Sequence, residues 1–487
     1  MNQLPVVGLV YKLCKILEAE GIVYCHWKSN VALERSAAGD NDLDLLVDRR
    51  SAQRFTEILS RCGFKEARMP SGSQIPGILD YYGYDAESDR LIHVHLHYQL
   101  VLGHDATKNY HLCIEKPFLA SSVQTDLFRI PAPEFEFVVF IIRMALKHST
   151  WDAILGRQIG LSAGERQELA YLQARVNNTQ VHRILAEHLP YLDVEVFVDY
   201  LRSLQPGSSY WARRRAGLRL QNDLRACARR PPIVDEWLQL WRHLLWGVQR
   251  RVFKRVTRSR LANGGAMVAM VGGDGAGKST AVEAVGAWLS EYFEIGKVHM
   301  GKPSWSLTTV IVRGLLKIGT MLGLYPFSIQ NELDPDPAVF PGYPTLIRSV
   351  CTARDRCLTY SRARRFASNG GLVICDRFSL PGIMAMDGPQ VERMTKNLKS
   401  NWFIKLLIKL EEKYYQQIML PDLLAVLRVN PAIAVQRKTD EDAVSVRART
   451  TQVWVLDWEK TPAHVIDASQ PVVKVLSDLK TLIWSNV

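Results

Sequence analysis

A chain of 487 residues, 47% hydrophobic and 23% charged, is too long for one ordinary core and has the composition of a folded protein. Its eight cysteines are scattered and form no CxxC pair, which argues against a disulfide framework or a structural zinc site and fits a reducing cytoplasm. The net charge of +12 is concentrated: Trp211–Arg260 holds about 14 Arg or Lys against 3 acids, so the basicity belongs to one segment. In chain order, the start, Met1 to Leu17, lacks a basic opening and a small-residue cleavage site and reads as a helix of the mature fold. Residues 1–150 then mix strand-like runs, Leu43–Val47 and Leu91–Leu96, with helical stretches, Ala52–Cys62 and Glu134–Lys147. Residues 151–262 read as a helical, basic connector broken at Gln205–Ser209 and at Pro231-Pro232. From 263 to 487 strands at Ala266–Val271, Leu372–Cys375, Leu423–Val429 and His464–Asp467 alternate with helices. That alternation predicts an α/β unit, a parallel sheet covered by helices on both faces. Leu307–Tyr325 comes nearest to a membrane span, but Arg313 and Lys317 interrupt it.

The strongest motif opens the last unit. A buried-strand run, Met267–Val271, leads into Gly272-Gly273-Asp274-Gly275-Ala276-Gly277-Lys278-Ser279-Thr280 and then into a helical run, Ala281–Leu289. This is G-x-x-x-x-G-K-[ST] in strand–loop–helix context. Glycines let the backbone wrap an anion, and the amides of Gly275, Ala276, Gly277 and Lys278 with the helix N-terminus supply positive potential. Lys278 reaches the β and γ phosphates of ATP, and Ser279 supplies a hydroxyl ligand for Mg²⁺.

Further residues resemble the thymidylate kinases. Gly273–Thr280 looks like that family's phosphate loop, with its carboxylate at Asp274. Asp376-Arg377-Phe378 matches its D-R-[FY] signature. Pro421-Asp422-Leu423 and the run to Pro431, with Ala434 and Arg437 at the family spacing, resemble its next strand, and Val465–Ala468 resembles its last. The resemblance covers about residues 266–487. It implies an ATP- and Mg²⁺-dependent kinase. Asp376 at a strand end would hold a Mg²⁺-bound water or orient the acceptor. Arg377 would clamp an acceptor phosphate, and Asp274 would face the acceptor's sugar hydroxyl. Arg437, Arg447 and Arg449 fall in a polar stretch resembling the mobile lid, where an arginine neutralises charge on the transferred phosphoryl. Asp440, Glu441 and Asp442 share that stretch. Position 275 is Gly, so no catalytic arginine comes from the loop itself. About 100 residues separate the loop from Asp376, including Asp334–Pro337, and this region would form the acceptor pocket.

Near the start, a turn at Lys28-Ser29 is followed by Asp42-Leu43-Asp44-Leu45. A small turn and then D-h-D-h on a strand resembles the polymerase-β-like nucleotidyltransferases, an α+β fold in which two carboxylates share Mg²⁺. The partner strand offers His93, His95 and His97 on one face and no carboxylate. A mixed metal cluster with Asp42 and Asp44, or a polar cleft for a phosphate or sugar, both follow from that pattern. In the basic stretch, Trp237, Trp241, Leu244 and Val248 take helical spacing ahead of Lys254, Arg255 and Arg260, which suits an anionic membrane surface through 237–260 or a packing helix. No nucleic-acid motif accompanies it. The expected partners are ATP and a small acceptor, a dTMP-like nucleotide first and a sugar second. The two alternatives are a sugar or glycan-end kinase of bacterial surface polysaccharide synthesis and an ATP-switched assembly protein with slow hydrolysis. A cytoplasmic chain, peripheral at the inner membrane face, is expected; a homodimer is left open.

Overall fold

The computed structural model describes residues 5–69, 74–149, 160–251, 258–322, 340–380, 388–396, 401–439 and 441–487. Asp334–Pro337, Asp440, Lys254 and Arg255 lie outside them. The chain divides into two compact units, Met1–Thr257 and Arg258–Val487.

In the first unit the opening helix runs Gly8–Ala19. The main sheet contains β1 (Tyr24–His26), β2 (Leu43–Val47), β3 (Lys65–Arg68), β4 (Ile78–Asp85) and β5 (Arg90–His97), in the spatial order β1-β2-β5-β4-β3. Strands β2 and β5 are parallel and the other neighbours antiparallel. Alternation sorts β2 cleanly: Leu43, Leu45 and Val47 join Leu13, Leu17, Phe55 and Ile58 in a core under one face, where helices Gly8–Ala19 and Ala52–Arg61 lie. The other face is left to Asp42, Asp44 and the odd-numbered histidines of β5.

A second core surrounds helix Pro133–Lys147, in which almost every residue from Phe135 to Leu146 is buried. A helix that is apolar all round must be enclosed. Helices Ala163–Gln173, Asn178–His188, Val194–Ser203 and Tyr210–Asp223 enclose it, through Leu172, Leu185, Tyr200 and Leu220. Residues 163–224 therefore share one core with Trp27 and Leu46, whereas the sequence suggested a border near 150.

Glu136 breaks the apolar run, with 4% exposure. Burial pushes its carboxyl up to about 7, against the hydrogen bond it accepts from the Asn30 amide at 3.3 Å. A raised carboxyl favours the folded state fully below its unfolded pKa near 4.5, and that contribution is lost as pH rises through 7. Glu136→Gln keeps the acceptor and cannot ionise. It is expected to raise the first unit's melting temperature at pH 8, by the equivalent of about 3 kcal/mol or less, and to change little at pH 5. Calorimetry at both pH values checks this, and an equal shift at each would refute it.

The second unit holds β6 (Met267–Gly272), β7 (Ile295–His299), β8 (Leu372–Asp376), β9 (Leu423–Arg428) and β10 (Ala463–Asp467) in the order β7-β8-β6-β9-β10, all parallel. This is a mixed α/β architecture around a parallel sheet. β6 is fully buried, as its uninterrupted apolar run requires. β7 was not anticipated: Ile-Gly-Lys-Val-His has no strand-like alternation, and it lies at a sheet edge with no fully buried position. Because later strands join on both sides of β6, its C-terminal end is the switch point where ligands of such sheets bind. Among the described residues no helix is long and apolar enough to cross a membrane.

Candidate functional site

The glycine-rich loop leaves β6 at Gly272 and enters helix Lys278–Ser290, with Gly277 as its N-cap at φ 80°. Gly275 sits at φ 76°, and a Cβ there would lie 2.7 Å from the Ala434 carbonyl oxygen. Both conformations belong to glycine. The loop borders a cleft of about 770 Å³, lined by Asp274 to Ala281, His299, Asp376, Arg377, Arg437, Lys438, Glu441 and residues 468–472. That volume lies within the range of small-ligand sites. Gly272 and Gly273 close the loop behind it, where a Cβ would meet the Leu427 carbonyl or Thr450.

Lys278 is buried, and its ammonium folds back to donate to the Gly273 carbonyl at 2.7 Å. Ser279 Oγ lies 3.5 Å from Asp376 Oδ2, while Asp376 Oδ1 is buried with no hydrogen-bond partner among the described residues. A carboxylate oxygen in that condition fits a hydrated cation, so the Ser279/Asp376 pair suits Mg²⁺. Asp376 ends β8 in register with Met270 of β6 and His299 of β7, which explains how His299, unanticipated from the sequence, reaches the cleft. Arg377 follows in a left-handed conformation, φ 64°, with its amide donating to the Met270 carbonyl at 3.1 Å. Such strain in a non-glycine residue collects at functional sites.

Asp274 gathers the arginines. Arg449 Nε stands 2.8 Å from Asp274 Oδ2 and Arg377 Nη2 3.7 Å from Oδ1. Arg449 also pairs with Glu441. Arg437 lines the cleft, but its guanidinium donates to the Ala468 and Ser469 carbonyls at 2.7 and 3.4 Å, so it braces the end of β10. Arg447 is a correction. The stretch read as a loop is helical, Pro431–Arg437 and Ala443–Val455, and two helical residues are about 200° apart. Arg449 turns to Asp274 and Arg447 is exposed, while neither belongs to the cleft lining itself.

In the first unit, strand register assembles a second cluster. Asp44 is paired with His95 across β2 and β5, and His95 with Asp80 across β5 and β4. Asp80 corrects the expectation of no third carboxylate; it comes from the strand beyond the histidines. His93 is held between Asp42 Oδ1 at 2.8 Å and Asp80 Oδ1 at 2.9 Å. Burial opposes its charge, but the two carboxylates prevail and raise it to about 9. Lys28 Nζ lies 2.7 Å from Asp44 Oδ1, and His95 Nδ1 lies 3.0 Å from the same oxygen. Burial lowers both His95 and His97. It also lowers Lys108, helped by the nearby Lys28, to about 8. Ser29 takes φ 60°, and its amide donates to Glu168 at 3.1 Å, as the Asn30 amide does to Glu136. The turn that would hold a phosphate thus serves the protein's own carboxylates, and Ser29 takes part through its backbone amide.

No protein-family model and no curated protein matches the chain. Among solved structures, thymidylate kinase from Candida albicans is similar over 46% of this chain and 92% of its own, with 17% identity and a TM-score of 0.30. A likeness of that size does not identify a function.

Proposed function

We propose that the second unit is an ATP-dependent phosphotransferase of the nucleoside monophosphate kinase type, with dTMP as the first acceptor to test. The observation that carries this is the cleft lined by Asp274, Lys278, the Ser279/Asp376 pair and Arg377 around one glycine-rich loop, with Arg449 joined to it through Asp274. Loop amides and the helix N-terminus bind the donor phosphates, and Lys278 leaves the Gly273 carbonyl to pair with them. Bound Mg²⁺ would neutralise charge on the β and γ phosphates. Asp376 orients the acceptor nucleophile or a metal-bound water. Arg377 and Arg449, released in part from Asp274, stabilise the equatorial oxygens of the transferred group, so catalysis rests on positioning and charge. Nothing in this chemistry requires a covalent enzyme intermediate.

The direct test is incubation of the full chain with ATP, Mg²⁺ and dTMP, with dTDP measured by chromatography. Formation of dTDP supports the acceptor assignment. Its absence, with ATP turnover stimulated by sugars or glycan ends, would move the assignment to a sugar or glycan-end kinase. Tight ATP binding without turnover on any acceptor would leave an ATP-switched assembly protein. Support for the nucleotidyltransferase-like reading of the first unit rests on Asp44 of β2, with Asp42 just before that strand and Asp80 on β4, and the turn amides and these carboxylates already have internal partners. We propose a binding role for that unit.

Helix Pro232–Arg251 adds a partner proposal. Trp237, Trp241 and Leu244 are 70%, 59% and 62% exposed, so they are not core. Interfacial tryptophans beside basic residues suit an anionic bilayer surface. The full chain is expected to sediment with anionic vesicles and not with neutral ones, and Trp237→Ser with Trp241→Ser to weaken this about tenfold or more. Equal sedimentation of the double variant would exclude the helix as the anchor.

A further inference from the structure

We propose that Asp44, His95 and His97 bind a divalent transition-metal ion, with Zn²⁺ as the simplest occupant, in a site separate from the Mg²⁺ chemistry of the second unit.

The geometry is set by the sheet. His95 and His97 are two residues apart on β5 and share a face, and the parallel neighbour β2 brings Asp44 into register with His95. Asp44 Oδ1 lies 3.0 Å from His95 Nδ1, and His97 Nε2 lies 3.3 Å from that same nitrogen. Each of the three residues offers one ligand atom within 4.8 Å of the other two. Tetrahedral bonds of about 2.0–2.1 Å place ligand atoms roughly 3.4 Å apart, so small side-chain shifts suffice to close the set around an ion.

Hydrogen bonding accounts poorly for the same arrangement. His95 Nδ1 carries at most one hydrogen, yet it faces both a carboxylate oxygen and a second imidazole nitrogen. His97 is fully buried, and its Nε2 faces the His95 nitrogen that is already turned to Asp44. A central cation accepts an electron pair from each of the three atoms at once. Two imidazoles and one carboxylate suit zinc, iron or cobalt, whereas magnesium prefers an all-oxygen shell. Three protein ligands leave a coordination position open, as in catalytic rather than structural sites. His95 also lines a cavity of about 540 Å³ with Asp80, Asp105 and Lys108, which gives an ion and a small ligand a way in.

Lys28 is the built-in competitor. Its ammonium, 2.7 Å from Asp44 Oδ1, neutralises the carboxylate in the metal-free chain and must yield to the ion. This makes a specific prediction: removing that charge strengthens metal binding.

The test uses the full chain, stripped with chelator and titrated with Co²⁺ in buffer free of Mg²⁺ and nucleotide. One equivalent is expected to give the intense visible absorption of a low-coordinate nitrogen–oxygen site, and Zn²⁺ to abolish it. His95→Ala and His97→Ala are expected to weaken this equivalent about 100-fold or more, as loss of one of three ligands requires. Lys28→Met, which leaves the strands untouched, is expected to bind about tenfold tighter. Absence of the absorbing equivalent in the wild-type chain, its persistence in both histidine variants, or unchanged affinity in Lys28→Met would each overturn the proposal. The readout is metal binding, so the outcome is independent of whether the second unit proves to be a kinase.

Discussion

Lys278→Ala is expected to lower phosphoryl transfer from ATP by about 10³-fold or more while the far-UV spectrum and melting temperature stay close to those of the parent chain. The reason is positional. Lys278 is the first residue of helix Lys278–Ser290, and its buried ammonium already reaches back over the loop to the Gly273 carbonyl at 2.7 Å. A point charge held there lies where the loop amides converge, so it acts on the donor's terminal phosphates as negative charge redistributes. Alanine keeps the helix start and the loop glycines, and alanine is the best helix former. Chromatographic assay of phosphorylated acceptor, beside a thermal melt, separates the two effects. Full activity in a folded Lys278→Ala protein would remove the loop from the chemistry.

The loop was legible because each of its requirements is local. Gly275 and Gly277 adopt positive φ, Lys278 and Ser279 follow at fixed spacing, and the apolar run before them can only be a buried strand. Elsewhere the determinants are set by pairing across the sheet. Asp80 gave no signal in the sequence, since only the antiparallel register of β4 with β5 sets it opposite His95. Lys28 and Lys108 reach the same cluster from a turn and from a residue at φ 40°, positions to which no periodicity points. His299 depended on recognising β7, an edge strand with a glycine and a lysine in five residues. The arginine pair could not be told apart for a related reason. Read as loop residues, Arg447 and Arg449 are equivalent; on helix Ala443–Val455 they face nearly opposite ways, and Asp274 takes only Arg449.

That arrangement also bears on the order of events. Asp274 pairs with Arg449 and approaches Arg377, so a single carboxylate draws both cations. Entry of an acceptor phosphate offers a doubly charged alternative to one carboxylate. On the proposed kinase reading, Asp274 parks the arginines, and its own contact with the acceptor follows once they move.

Asp376→Asn carries the other large effect, a fall in turnover of about 10²-fold or more accompanied by a raised Mg²⁺ requirement. Asp376 closes β8 and is fixed from both sides, by register with Met270 on β6 and with His299 on β7. One of its oxygens lies 3.5 Å from the Ser279 hydroxyl, and the other is buried with no hydrogen-bond partner among the described residues. An ionised oxygen left in that state costs free energy, and the cost is recovered when a hydrated cation arrives. Asparagine preserves the shape and one acceptor but removes the charge and directs an amide hydrogen at the cation. The variant should therefore bind ATP almost as tightly through Lys278 and the loop amides, yet need more Mg²⁺ to reach a lower maximal rate. A Mg²⁺ titration of turnover, paired with an ATP affinity measurement, distinguishes this from simple loss of nucleotide binding. If Asp376→Asn left both the maximal rate and the Mg²⁺ midpoint unchanged, the cation would have to be held by other groups and the Ser279/Asp376 pair would be structural.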